Sequence, residues 1–225
     1  MRPLLACLSP YEVMWSRSFR HLLDEGYAWV FTQAAQALTG PRDARPLGDL
    51  QVRTLIATGQ SQSASRLAVY ANSVHPLAPV YDVITIVDGG VRIRPDLTSR
   101  VFKTAGVSGL LAGPTAPCVS PARSNLPYEY VLNAMFDHAV RWARENRRPP
   151  TAPRLEVTDT TTSACRQGGT WIPFDETTLE ELYPRHRDHV TKVRQATERN
   201  LRDGFITRRD ADRTVRDAER SDVGR

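Results

Sequence analysis

Gly59-Gln60-Ser61-Gln62-Ser63 is the stretch whose residue types and spacing could do chemistry. A short apolar run, Val52–Ala57, leads in, and a helix-period run, Ala64–Val74, leads out. Strand, tight turn and helix in that order lift a serine off the sheet edge. The amide after the serine then points at whatever the serine attacks. Gly59 and Ser63 carry the small side chains needed where strand and helix backbones pass closely. A serine at such a tip is expected at strained dihedrals, which concentrate at functional turns. The competing reading is a polar loop that opens an ordinary helix.

A corner of this kind needs a scaffold, and the composition permits one. The chain has 225 residues, 40% hydrophobic and 24% charged, enough for one domain with a real core. Its net charge of +5 is carried almost wholly by arginine, since Lys103 and Lys192 are the only lysines. The basic residues cluster in Arg141–Arg148 and Arg185–Arg220, mixed with acids. No basic stripe is interleaved with aromatics, so a nucleic-acid partner is not expected. Cys7, Cys118 and Cys165 form no C-x-x-C pair, so no metal or other cofactor is implied. Three free thiols are the default, with a Cys118–Cys165 disulfide as the alternative. No window approaches the ~18 apolar residues of a membrane span. The apolar stretch before Cys7 is too short for a signal peptide. A cytoplasmic protein is expected, with secretion the alternative if residues precede Met1.

Strand and helix patterns alternate along the chain. Leu4–Leu8 reads as a strand, and Ser9-Pro10-Tyr11-Glu12 as a capping box. Trp15, Phe19, Leu22 and Leu23 then mark one helical face, and Gly26 ends the helix. Tyr27–Phe31 is a strand, Thr32–Thr39 a short helix and Gly40–Asp49 a loop. After the turn, Ala64, Leu67, Ala68 and Ala71 form a buried helix face. Tyr81–Val87 and Ser99–Lys103 are further strands, the first closed by Asp88-Gly89-Gly90. Thr104–Asn125 reads as loop. A helix over Pro127–Arg144 follows, with Val131, Leu132, Met135, Ala139 and Trp142 inward. Leu155–Val157 is a small strand, and Thr158–Gly169 a polar loop. Helices are expected over Asp175–Tyr183 and His186–Asp203, with a fraying charged one over Asp210–Arg220. The pattern predicts a mainly parallel sheet with helices on both faces, and a ligand site beyond the strands' carboxyl ends.

With those elements placed, the chain resembles a bacterial group of α/β-hydrolase domain proteins, serine esterases. The matching stretches are Trp15-Ser16-Arg17-Ser18-Phe19, Gly26-Tyr27-Ala28-Trp29-Val30 and Gly59-Gln60-Ser61-Gln62-Ser63-Ala64. Asn72-Ser73-Val74-His75-Pro76-Leu77, Arg141-Trp142, Pro173-Phe174-Asp175, Leu182-Tyr183-Pro184 and Gly204-Phe205 also match. The resemblance implies a three-layer α/β-hydrolase fold, shortened relative to the group, as one domain over residues 1–225. Residues 1–148 would hold the sheet core and residues 149–225 a mainly helical C-terminal segment. It further implies Ser61 as nucleophile, the Gln62 amide as one oxyanion donor, and a small-molecule ester as substrate.

Acyl transfer by serine needs a histidine to take the proton and a carboxylate to hold that histidine. In this fold they follow the serine in the order acid, histidine. From Lys103 to Tyr128 there is no Asp, Glu or His. The alternative is therefore a hydrolase-fold scaffold lacking the acid and the histidine. Asp88, at the end of the strand after the turn, is the substitute acid, with a turn residue as its bland reading. Asp82 lies inside its strand and Asp96 before one, on the wrong end for the site. His138 is the substitute base, weighed against a packing role midway along its helix. His75 closes the helix after the turn, ~15 Å from Ser61 by helix rise. His186 and His189 read as a solvated face, and His21 as facing the charged side of its helix near the C-terminal dipole.

Overall fold

A computed structural model describes residues 4–7, 13–25, 28–31, 52–87, 91–97, 99–104, 122–123, 127–153 and 170–225. Five parallel strands form the sheet: β1 (Leu4–Cys7), β2 (Ala28–Phe31), β3 (Leu55–Gln60), β4 (Val83–Val87) and β5 (Val101–Thr104). Their order is β2-β1-β3-β4-β5, with Leu4 beside Leu55 and Gln60 beside Val87. The chain first builds one edge, then crosses to the other side of β1. The order reverses between β1 and β3, and in open α/β sheets ligands bind beyond the carboxyl ends at such a point, where β3 ends.

Burial on both faces explains the near-continuous apolar strands. All five residues of β4 are buried. Leu55, Ala57, Ile84 and Ile86 point to one face, where helix α2 (Gln62–Ser73) supplies Ala64, Leu67, Ala68 and Ala71. Ile56, Val83 and Val87 point to the other, against α1 (Val13–Asp24) and α3 (Tyr128–Glu145). Leu22, Leu132, Met135, Phe136 and Ala139 fill that side. The fold is thus three-layer α/β, as the alternation predicted. Among the described residues no helix is long and apolar enough to cross a membrane.

Several expectations are corrected. β3 starts at Leu55 rather than Val52 and runs on through Gly59 and Gln60. Asp82 decides this: its backbone N–H donates to Leu55 O at 2.8 Å, and its carboxylate accepts from Leu55 N–H at 2.7 Å. In α1, Leu22 is buried but Phe19 and Leu23 are exposed, while Ser18 and His21 are buried instead. His21 Nε2 lies 2.9 Å from an Asp137 oxygen on α3. That bond turns the helix's inner stripe and takes His21 away from solvent. A small antiparallel pair joins β6 (Ala122–Arg123), in a stretch read as loop, to β7 (Thr170–Trp171), just past another. Two residues per strand are too few to show alternation. The Thr32–Thr39 helix, Gly40–Asp49 loop and Leu155–Val157 strand lie outside the described residues, as do Cys118 and Cys165.

The C-terminal segment forms α4 (Glu176–Leu182), α5 (His186–Arg202) and α6 (Arg208–Arg220). The last of these is anchored rather than fraying. Thr207 caps it, accepting from Asp210 N–H at 3.2 Å, and Ala211 and Ala218 are buried. The Asp210 carboxylate, also buried, accepts from Asn133 Nδ2 of α3 at 3.0 Å and from Thr207 Oγ1 at 2.7 Å. His186 is no part of a solvated face: Nδ1 contacts Val223 O at 2.9 Å and Nε2 contacts Glu219 O at 3.2 Å. The half-buried His189 ring meets Tyr183 edge-on at 5.0 Å. Burial first, and then the neighbouring His186, hold His189 below the ordinary imidazole range.

A buried carboxylate deprived of a donor is costly. Asn133→Leu should therefore destabilise the protein by about 1–3 kcal/mol, read as a lower urea midpoint. An unchanged midpoint would remove Asn133–Asp210 as the anchor of α6.

Candidate active site

The ladder between β3 and β4 carries one residue beyond Gln60. Ser61 N–H donates to Val87 O at 2.9 Å. The Ser61 carbonyl already belongs to α2, accepting from Ser65 N–H at 3.1 Å and Ser65 Oγ at 3.3 Å. Both demands are met with Ser61 at φ 55° and ψ −118°. Among the described non-glycine residues only Asn146 shares a positive φ, and its ψ of 24° leaves it in the ordinary left-handed region. Ser61 lies outside even that region, at a cost of about 1–3 kcal/mol.

Gly59 is required by close approach. A Cβ there would lie 3.0 Å from Ser63 O and 3.1 Å from Ala64 N, backbone atoms that cannot swing away. Ser63 is itself buried under the turn. A serine before a helix usually spends its oxygen on capping the first amides. Ser61 makes no such bond. It is exposed, and its hydroxyl has no hydrogen-bond partner among the described residues. The adjoining Gln62 N–H opens α2, where first-turn amides lack an intrahelical acceptor and sit at the positive end of the helix dipole. A free hydroxyl beside such an amide can present a nucleophile and receive a developing oxyanion.

The residues considered as partners of Ser61 are dispersed. Asp88 lies outside the described residues. Asp82 binds Leu55 at the start of β4, the end away from the turn. Asp96 accepts from Arg94 on the surface, and that hydrogen bond holds its carboxyl below the usual range. His75 is buried between Tyr70 and Tyr81, with ring centroids at 5.8 and 6.3 Å, and burial lowers its pKa. His138 Nε2 donates to Gly204 O at 2.7 Å, tying α3 to the turn between α5 and α6. It lines a cavity with His21 and Asp137, and none of residues 59–63 is among the described residues of that lining.

The His21–Asp137 pair is a contact that sequence reasoning missed. The two residues stand 116 positions apart, and no spacing rule links them. Among the described residues no group of three or more His, Cys, Asp and Glu could hold a metal ion.

Two outcomes follow from this geometry. Glycine accepts the Ser61 backbone angles without strain. Ser61→Gly should therefore raise the melting temperature, by an amount equivalent to about 1 kcal/mol. A lowered melting temperature would mean that the turn carries no strain. For His75 the folded pKa is depressed, so the unfolded chain binds more protons at low pH. Stability is full above about pH 6.5 and is lost as the pH falls through the folded value. The drop in urea midpoint between about pH 7.5 and about pH 5.5 should shrink in His75→Phe.

The alpha/beta hydrolase domain family matches the chain over residues 11–105, 101–164 and 157–216. No curated protein matches, and no solved structure does. The family match reaches from α1 into α6 and includes the turn at Ser61. The chain therefore belongs to the alpha/beta hydrolase domain family.

Proposed function

We propose that the protein is a serine hydrolase of small carboxylic esters, with Ser61 as its nucleophile. One observation carries this reading: an exposed serine, held at φ 55° and ψ −118° on a central strand, leaves its hydroxyl out of helix capping. Oγ forms a bond to the ester carbonyl carbon, and the carbonyl oxygen takes the charge. The Gln62 N–H at the start of α2 donates to that oxygen. Collapse breaks the bond to the alcohol, which leaves with the proton. Water then releases the acid from the acyl-serine.

The proton needs an acceptor. Asp88, directly after β4 in the chain, is the carboxylate of this reading. His138 donates through Nε2 to Gly204, so Nδ1 is the nitrogen through which it would act as base. Loss of the base costs on the order of 10⁶ in turnover, and binding and oxyanion stabilisation retain roughly 10³–10⁴ over water. The contrasting reading, a scaffold without the relay, rests on the stretch from Lys103 to Tyr128 that lacks Asp, Glu and His.

A fluorophosphonate probe separates the two. The native chain should be labelled and Ser61→Ala should not. A folded native chain that resists the probe would leave the scaffold reading standing. His138→Gln should slow labelling at least ~100-fold if His138 is the base. Unchanged labelling with a lowered melting temperature would confine it to holding the C-terminal turn.

A further inference from the structure

The cavity that His138 lines has a volume of about 720 Å³, within the range of small-molecule sites. Three walls enclose it. His21 and Glu25 come from the end of α1, Asp137, His138 and Arg141 from α3, and Leu201 to Arg216 from α5, the following turn and α6. It lies on the α1–α3 side of the sheet, across from α2.

Its charges are unevenly satisfied. Asp137 is taken by the buried His21, and Arg209 by Asp24. Arg141, Arg208 and Arg216 have no partner among the described residues, yet all three line the cavity from two different helices. Unpaired guanidiniums that line one cavity suit the oxygens of a phosphate, which they can bind in a fork. Two carboxylates of the lining, Glu25 and Asp212, likewise lack a described side-chain partner. They would repel a bare anion but accept hydrogen bonds from hydroxyls. His138 donates through Nε2 to Gly204, so Nδ1 of the neutral ring is a further acceptor. Ala134, Leu201 and Ile206 give a modest apolar surface.

We infer that this cavity is a binding site for a hydroxylated phosphate monoester, such as a phosphorylated sugar. The phosphate lies against Arg141, Arg208 and Arg216, and the hydroxyls face Glu25 and Asp212. The site shares no described residue with the Ser61 turn, and the inference stands or falls independently of the hydrolase reading.

Isothermal titration of the full chain tests it, with glucose 6-phosphate, inorganic phosphate and glucose as probes. Saturable binding of glucose 6-phosphate is expected, weaker binding of phosphate, and none of glucose. Arg141→Gln and Arg208→Gln should each weaken glucose 6-phosphate binding by about tenfold or more. Both arginines are exposed and unpaired, so the variants should keep the native melting temperature. Arg187→Gln, on α5 outside the cavity lining, and Ser61→Ala should bind like the native chain. Absence of saturable binding would overturn the proposal. So would affinity unchanged in both cavity variants, glucose binding as well as its phosphate, or phosphate binding as tightly as the sugar phosphate.

Discussion

One residue belongs to two elements at once. The N–H of Ser61 is still bonded in the sheet, to Val87, while its carbonyl is already bonded in the helix, to Ser65. A strand and a helix joined with no spacer must turn within a single pair of dihedrals. The turn is possible because Gly59 presents no Cβ to the backbone of Ser63 and Ala64. Everything chemical about the site follows from that junction. The backbone angles that satisfy both elements also keep the Ser61 oxygen off the helix amides. An ordinary N-cap would have consumed it.

The sheet supplies the stiffness that sustains such a turn. β3 has a parallel neighbour on each side and a packed apolar layer on each face. Strain of a few kcal/mol persists only where surrounding structure leaves no cheaper alternative. Here the alternatives would break the Leu55–Asp82 and Ser61–Val87 bonds or unseat the alanine-rich face of α2 from Ala57 and Ile86. Alanine at positions 64, 68 and 71 lets the helix axis lie close to the strands, which brings its N-terminus onto the end of β3.

Polar contacts join the buried Ala211 and Ala218 in organising the C-terminal segment. Asp210 with Asn133, His138 with Gly204, and His186 with the carbonyls of Glu219 and Val223 each join elements far apart in the chain. All five histidines, His21, His75, His138, His186 and His189, thus have a defined structural neighbour. That bears on catalysis. His138 spends Nε2 on Gly204 and lines a cavity that includes none of residues 59–63 among its described residues, so on the proposed reading its placement and not its bonding counts against it as base. Asp88 stands next in the chain to Val87, the residue that receives the Ser61 amide.

Local features were legible in the sequence. The turn motif, the alanine face at Ala64, Leu67, Ala68 and Ala71, the apolar strand read over Tyr81–Val87 (observed from Val83), and Leu132, Met135 and Ala139 on the inward side of α3 are all written in neighbouring residues, although the buried Phe136 was not picked out. Periodicity and steric size are short-range properties, so a linear reading recovers them. What it missed involves partners distant in sequence. The strand start at Leu55 depended on Asp82, the rotation of α1 on Asp137, and the order of α6 on Asn133. The cavity between α1, α3 and α6 has no sequence signature, because its arginines meet only after the C-terminal helices fold back. By itself the sequence determined that a serine stands at a strand-to-helix corner. Only the tertiary structure decided that its hydroxyl stays out of the helix cap and meets no partner among the described residues, because a side chain's partners are set by whatever the fold brings within hydrogen-bond reach.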